Sequence, residues 1–360
     1  MKNKICSIVG ARPQFIKAAS LSRVLRREYE EVLIHTGQHY DDNMSGVFFD
    51  ELNIPNPEYN LGISGGTHGK MTAAMLCALE EVFVKEKPNM VLVYGDTNST
   101  LAAALAAVKL YIPICHVEAG VRMGTLRNPE EINRVLTDRV SRLLMCCTKE
   151  DVENLREEGI TQGVYNTGDL MYDAALYYEE RLCTPKLGKL ISFDGEDIML
   201  PSDYYLMTCH REENAGTDEP LYEAFSAMQS LDRPTIYPVH PRNCERALRL
   251  QKKHNFGNII LIKPVGYLTN LYLIKNAVKI VTDSGGVQRE AWFYSKPCVT
   301  LMERMVWPQT HIGNMNQICK ANKEDILSAI KANPDFSCKG YPFGDGNAGE
   351  NIVRHIQSVL

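Results

Sequence analysis

Two Rossmann-like, doubly wound α/β domains facing each other across a cleft are what this sequence predicts, on three observations. Short apolar runs alternate with amphipathic helical stretches through the first half of the chain. The same alternation restarts in the second half, and a pattern of this kind places a parallel sheet between layers of helices. The third observation is chemical: acidic, basic and glycine residues gather just past the ends of the apolar runs, where open α/β sheets bind their ligands. At 360 residues the chain also exceeds what one hydrophobic core usually supports.

In the first half, residues 5–9, 32–35, 90–94, 114–117 and 143–147 read as buried parallel strands. Residues 15–27, 70–87, 97–110 and 131–142 between them have helical character. In the second half the strands are expected at 204–208, 235–239, 259–262, 278–282 and 298–301. Residues 182–202, rich in Lys, Gly, Pro and Asp, read as the linker, which sets the domains at 1–181 and 203–346. The last segment, 347–360, carries Ile352, Val353, Ile356 and Val359 at helical spacing and is expected to pack back on the first domain.

Composition excludes several classes. With 44% hydrophobic and 23% charged residues, the chain matches an ordinary globular protein. Its net charge of −5, with both signs interspersed, leaves no basic footprint for nucleic acid. Eleven cysteines are scattered, and Cys6, Cys115, Cys146, Cys147 and Cys298 lie within apolar runs, as reduced buried thiols do. No pair is spaced C-x-x-C, so no metal site is expected. No apolar run approaches membrane-spanning length, and the first strand is too short and wrongly flanked for a secretory signal. A cytoplasmic location without a membrane partner is therefore expected.

His116-Val117-Glu118-Ala119-Gly120-Val121-Arg122 ends the strand at 114–117, and Pro129-Glu130-Glu131-Ile132-Asn133-Arg134 follows shortly after. Packing alone would not crowd Glu118, Arg122, Glu130 and Arg134 together, whereas a charged ligand or reaction would. Asp96, in Gly95-Asp96-Thr97, fits either a helix cap or a catalytic carboxylate level with Glu118. Gly10-Ala11-Arg12-Pro13 opens a helix, where backbone amides can approach an anion and Arg12 and Lys17 add positive charge. It lacks G-x-G-x-x-G and Walker spacing, so a plain strand-to-helix turn fits as well.

In the second half, His210-Arg211-Glu212-Glu213-Asn214 and His240 each follow a strand, which favours ligand binding over a structural histidine. Thr282-Asp283-Ser284-Gly285-Gly286 is the clearest phosphate signal, since strand, Ser-Gly-Gly and helix present free amides to an anion. Glu290, about one and a half turns into that helix, is placed to reach a ribose diol. A capped helix with a glycine turn would read similarly, but the two signals together point to a nucleoside diphosphate.

Taken in order, these motifs, with His35-Thr36-Gly37-Gln38-His39-Tyr40-Asp41, resemble the non-hydrolysing UDP-N-acetylglucosamine 2-epimerase family over nearly the whole chain. The resemblance implies a glycosyltransferase B-type fold, a homodimer, no metal or nicotinamide cofactor, and inversion at C2 of the sugar by elimination and re-addition of UDP. It implies Asp96, Glu118 and Glu130 as catalytic carboxylates, with His210 on the diphosphate and Arg12 near UDP. Ser284, Gly285, Gly286 and Glu290 would hold phosphate and ribose. Lys17, Arg122 and His240 complete the expected ligand-binding set.

The expected substrate is UDP-N-acetylglucosamine, for surface polysaccharide. The alternative is UDP-2,3-diacetamido-2,3-dideoxyglucuronic acid, because Gly10-Ala11-Arg12-Pro13-Gln14 and Trp307 resemble the branch that acts on it. Met302-Glu303-Arg304-Met305-Val306-Trp307-Pro308-Gln309 also departs from the charged stretch usual in the family. Met302 and Trp307 are expected to shape the sugar pocket, unless Trp307 merely packs against the domain. A hydrolysing epimerase, a glycosyltransferase and a non-catalytic nucleotide-sugar sensor are the remaining readings.

Overall fold

The computed structural model describes residues 2–38, 51–179 and 190–360, and the chain divides into two compact units. Residues 1–177 with 341–360 form the first, and residues 178–340 the second.

The first unit runs β1 (Lys4–Val9), α1 (Arg12–Glu28), β2 (Glu30–His35), β3 (Tyr59–Asn60), α2 (His68–Glu86), β4 (Met90–Tyr94) and α3 (Asn98–Lys109). It continues β5 (Ile114–Val117), α4 (Pro129–Val140), β6 (Leu143–Cys146), α5 (Lys149–Glu157), β7 (Val164–Asn166) and α6 (Leu170–Glu179). The sheet order is β3-β2-β1-β4-β5-β6-β7, parallel throughout. Its order reverses between β1 and β4, which opens a crevice at their carboxyl ends.

Helices cover both faces, so the strands are near-continuous apolar runs rather than alternating ones. In α3, Ala102, Ala103, Ala104, Ala106 and Ala107 are all buried, and their small side chains let it join α2 over one face of the sheet. Met75, Leu79 and Phe83 of α2 fill that layer, each worth roughly 1.5–3 kcal/mol of burial.

The second unit begins with a short antiparallel hairpin, β8 (Leu190–Ile191) and β9 (Asp197–Ile198). Next come β10 (Tyr205–Thr208), α7 (Glu212–Ala215), α8 (Asp218–Gln229), β11 (Thr235–Pro238), α9 (Cys244–His254), β12 (Ile259–Ile262) and α10 (Tyr267–Asn276). It ends with β13 (Lys279–Thr282), α11 (Gly285–Phe293), β14 (Cys298–Leu301), β15 (Asn316–Cys319) and α12 (Lys323–Ile330). The parallel order β12-β11-β10-β13-β14-β15 repeats the same logic, with its reversal between β10 and β13.

Every long strand expected from the sequence is present within a residue or two of its expected bounds; β3, β7 and β15 are additions, as are β8 and β9 within the expected linker. The first two are two and three residues long, too short to show a pattern, and β15 mixes polar with apolar residues. Part of the expected linker is structured: Leu190 joins a core with Tyr204, Leu206 and Ile262, and Ser192 bridges Ile262. The polar composition of that stretch belongs to a hairpin turn. The final helix, α13 (Ala348–Gln357), buries Ile352, Val353 and Ile356 in the first unit beside α1. Asp173 caps it by accepting from the amides of Ala348 and Gly349 at 3.1 and 2.8 Å. Val359 lies beyond the helix end and is partly exposed.

Candidate functional site

In the first unit, the register sets the site. Tyr94 pairs with Val117, so the turns that follow β4 and β5 end level with each other. The Gly95 amide donates to Val117 O at 2.9 Å, which brings Asp96 and Glu118 to the same edge. Asp96 is not the cap of α3. That position belongs to Thr97, whose hydroxyl accepts from the Thr100 amide, so the Asp96 carboxylate is released for other partners. It pairs with Arg134 Nη2. Glu118 has φ +68, in the left-handed region that non-glycine residues seldom adopt, a strain of order 1–3 kcal/mol. Its own amide and that of Ala119 both donate to Met145 O, which holds the turn in place.

Glu118 and Lys17 form a buried ion pair, Oε2 to Nζ 2.8 Å, with the two side chains 9% and 4% exposed. Lys17 therefore faces a carboxylate rather than standing as a separate phosphate contact. Lys17 comes from α1, whose start is tied to the β4 turn by Gln14. The Gln14 Oε1 accepts from the Gly10 and Ala11 amides, and its Nε2 donates to Tyr94 O, Thr97 Oγ1 and Thr100 Oγ1. Gly10 is required there because a Cβ would lie 2.2 Å from Thr36 Oγ1 and 2.3 Å from Ser99 Oγ. Arg12 stands half-buried at the first turn of α1.

The loop before α4 contributes differently from expectation. Glu130 is exposed at the helix start, and the structure does not bring it into the buried cluster. Its neighbour Glu131 is buried, accepts from the Met123 and Gly124 amides at 2.8 and 2.9 Å, and pairs with Arg134 Nη1 at 3.0 Å. Arg134 thus bridges Glu131 and Asp96. Burial works against its charge, but Asp96, Glu118 and Glu131 more than compensate and raise its pKa.

Arg122 is held inside the fold. Its guanidinium donates to both oxygens of Glu158, to Asp138 Oδ2 and to Val121 O, which makes it a brace rather than an open anion contact. Asp138 also faces His116 Nδ1 at 2.7 Å, and His116 Nε2 lies 2.7 Å from Gly95 O. Both ring nitrogens face oxygen atoms. Burial alone would raise Asp138, but His116 and Arg122 pull it below the ordinary carboxylate range. This buried chain of contacts ties the ends of β4, β5 and α4 together.

Behind Glu118 sit two more buried acids. Glu118, Cys147 and Asp169 each bring one ligand-capable atom to within 4.8 Å of the others. The cation paired with Glu118 is Lys17. Burial pushes Asp151 up to about 7, with the charges of Glu118 and Asp169 adding to it. Of the remaining motif residues, Gln38 accepts from the amide and hydroxyl of Ser99, while His39, Tyr40 and Asp41 lie outside the described residues.

The second unit holds its own set, on the loops after β10, β11 and β13. Ser284 caps α11 by accepting from the Val287 amide, so Gly285 and Gly286 form the first turn. Trp307 is 4% exposed, packs 4.1 Å from the Arg289 guanidinium, and places its Nε1 3.4 Å from where a Gly285 Cβ would stand. It walls the glycine turn, which is the packing alternative for this residue. Glu290 is buried beside Tyr267, whose hydroxyl is pushed well up by burial and by the Glu290 charge. His210 Nδ1 lies 2.9 Å from Asp283 Oδ1, and the His210 ring stacks on His240 with centroids 5.8 Å apart.

Sequence reasoning missed Gln14, Glu131, Asp138 and Asp283 as organising groups. One signal was available: Glu131, Arg134 and Asp138 recur three and four residues apart and so share one face of α4. The other two, Gln14 and Asp283, act through tertiary contacts that no local spacing encodes.

The family model for UDP-N-acetylglucosamine 2-epimerase matches residues 23–357. A UDP-N-acetylglucosamine 2-epimerase homolog of Methanococcus maripaludis is 48% identical over 360 residues, covering 99% of this chain and 100% of that protein. The UDP-2,3-diacetamido-2,3-dideoxy-D-glucuronate 2-epimerase of Pseudomonas aeruginosa is 43% identical over 368 residues, covering 99% of this chain and all of its own. Among solved structures, the Methanocaldococcus jannaschii UDP-GlcNAc 2-epimerase, crystallised with UDP-GlcNAc and UDP, superposes with a TM-score of 0.85 at 38% identity, over 99% of each chain. This chain belongs to the UDP-N-acetylglucosamine 2-epimerase family.

Proposed function

We propose that this protein is a non-hydrolysing UDP-sugar 2-epimerase that interconverts UDP-N-acetylglucosamine and UDP-N-acetylmannosamine by eliminating UDP and adding it back. The observation that carries the reading is the buried Lys17–Glu118 pair level with Asp96 and Arg134, in a chain so similar to epimerases. The C2 proton of the sugar is weakly acidic, so loss of UDP from C1 through an oxocarbenium-like state is the easier first break. Negative side chains favour that state. Glu118, with the Lys17 ammonium 2.8 Å away, is the group assigned to take the C2 proton. The reverse addition needs a proton delivered to the other face of C2, a role open to Asp96 or Glu130.

In the second unit, His210, the first turn of α11 and Glu290 are the groups that suit diphosphate and ribose. Arg12 and His240 are assigned to UDP on the same grounds. A cytoplasmic homodimer serving surface polysaccharide synthesis completes the proposal. No described helix is long and apolar enough to cross a membrane.

Turnover in heavy water tests the reaction. The product should carry deuterium at C2, with small amounts of UDP and 2-acetamidoglucal escaping; full retention of hydrogen at C2 would refute the elimination route. The second reading, with the diacetamidoglucuronate as substrate, is favoured by the Pseudomonas aeruginosa relative and by the uncharged Met302 and Trp307. Comparing kcat/KM for the two UDP-sugars decides between them.

A further inference from the structure

We propose that Asp283 is a positioning residue which fixes the His210 ring through Nδ1, leaving Nε2 turned to the diphosphate of UDP. The proposal rests on the epimerase reading only for the identity of the anion. Asp283 lies between β13 and α11 and is fully buried. Its Oδ2 accepts from the His210 and Arg211 amides, both at 2.8 Å, and from Asn214 Nδ2 at 3.4 Å. These three donors fix the plane of the carboxylate. Oδ1 has no hydrogen-bond partner within ideal geometry, and faces His210 Nδ1 at 2.9 Å.

A buried carboxylate immediately before a helix N-terminus opposes the binding of any anion there, unless a neighbouring donor occupies it. His210 is that neighbour. Its Nδ1 side is committed to Asp283, while the side chain as a whole remains 41% exposed. Burial would raise the pKa of Asp283, but His210 and the two amides bring it below the usual carboxylate range.

The other groups around the pair do not replace it. His240, stacked on the His210 ring, accepts from the Arg242 amide through Nδ1. Arg211 lies 3.8 Å from Glu213. The Cys209 thiol is pushed well up by burial and then by Asp283, so it stays protonated. Tyr237, from β11, spends its hydroxyl on Cys209 O.

A double-mutant cycle on UDP affinity, measured by titration calorimetry with UDP itself, tests the coupling. Asp283→Asn keeps an oxygen for the two backbone amides but removes the charge. It should weaken UDP roughly tenfold or more beside His210, yet less than about twofold in a His210→Ala background. Equal losses in both backgrounds, or no loss beside His210, would overturn the proposal.

Should Asp283→Asn not fold, the native protein still decides. The 15N resonances of the His210 ring, with and without UDP, should show a proton on Nδ1 throughout, as a bond to Asp283 requires. A bare Nδ1 would refute it. Epimerisation with additive losses counts against the pair alone; coupling without epimerisation counts against the reaction and leaves the pair standing.

Discussion

Replacing Lys17 with Met removes the cation facing Glu118 while keeping most of the aliphatic volume. At 2.8 Å the two charges attract by about 6 kcal/mol at an effective dielectric near 20. Desolvation of both ions offsets much of that, and removing one partner of a buried pair costs about 3–5 kcal/mol. Glu118 can escape part of the penalty by taking up a proton, which removes the base the reaction needs. Lys17→Met should therefore lower kcat at neutral pH by about 10²–10⁴-fold. Activity should recover partly as the pH is raised.

The double variant Lys17→Met/Glu118→Gln should regain most of the lost stability, because no buried charge is left unpaired. Urea unfolding supplies the stabilities, and the sugar anomeric proton followed by NMR supplies the rates. A Lys17→Met protein within about 0.5 kcal/mol of wild type, with an unmoved pH profile, would refute the reasoning. A loss of UDP affinity with kcat intact would return Lys17 to phosphate binding.

Asp151 is raised from 3.8 to about 7, so between those values the folded protein keeps a proton that the unfolded chain has lost. Stability should fall by up to about 4 kcal/mol as pH rises through that window, and Asp151→Asn should flatten the decline and raise the melting temperature at pH 8; an unchanged slope would contradict this. Glu131→Gln should cost about 3–5 kcal/mol because Arg134 loses a buried partner, whereas Glu130→Gln should stay within about 0.5 kcal/mol. Loss of turnover in Glu130→Gln at that unchanged stability would mark it as chemical, and near-normal turnover would remove it from the catalytic set. Gly10→Ala should destabilise by about 1–3 kcal/mol, since its methyl must displace the Thr36 and Ser99 hydroxyls; a neutral result would mean that the β1 turn is not tight. Trp307→Arg should lower the melting temperature and reduce kcat/KM equally for both candidate UDP-sugars, as loss of packing on Arg289 predicts. A selective change would make Trp307 a reader of the sugar.

The sequence by itself determined the layered α/β class, the succession of the long strands along the chain and the loops that carry the chemistry. Strands buried on both faces must be continuous apolar runs, and helices beside them must be amphipathic, so both signals are local. The motifs after β1, β4, β5, β10 and β13 were legible for the same reason, since a parallel sheet sends every such loop to one edge. The tertiary structure decided which charges meet. Nothing local says that Lys17 faces Glu118, that Arg122 is consumed by Asp138 and Glu158, or that Glu131 rather than Glu130 bridges to Arg134. Asp96 could be read as a cap until Thr97 took that place. Asp283 shows the point most directly, because its partner His210 lies 73 residues away along the chain. Side-chain pairing across such distances depends on strand order and register, and those are properties of the whole sheet.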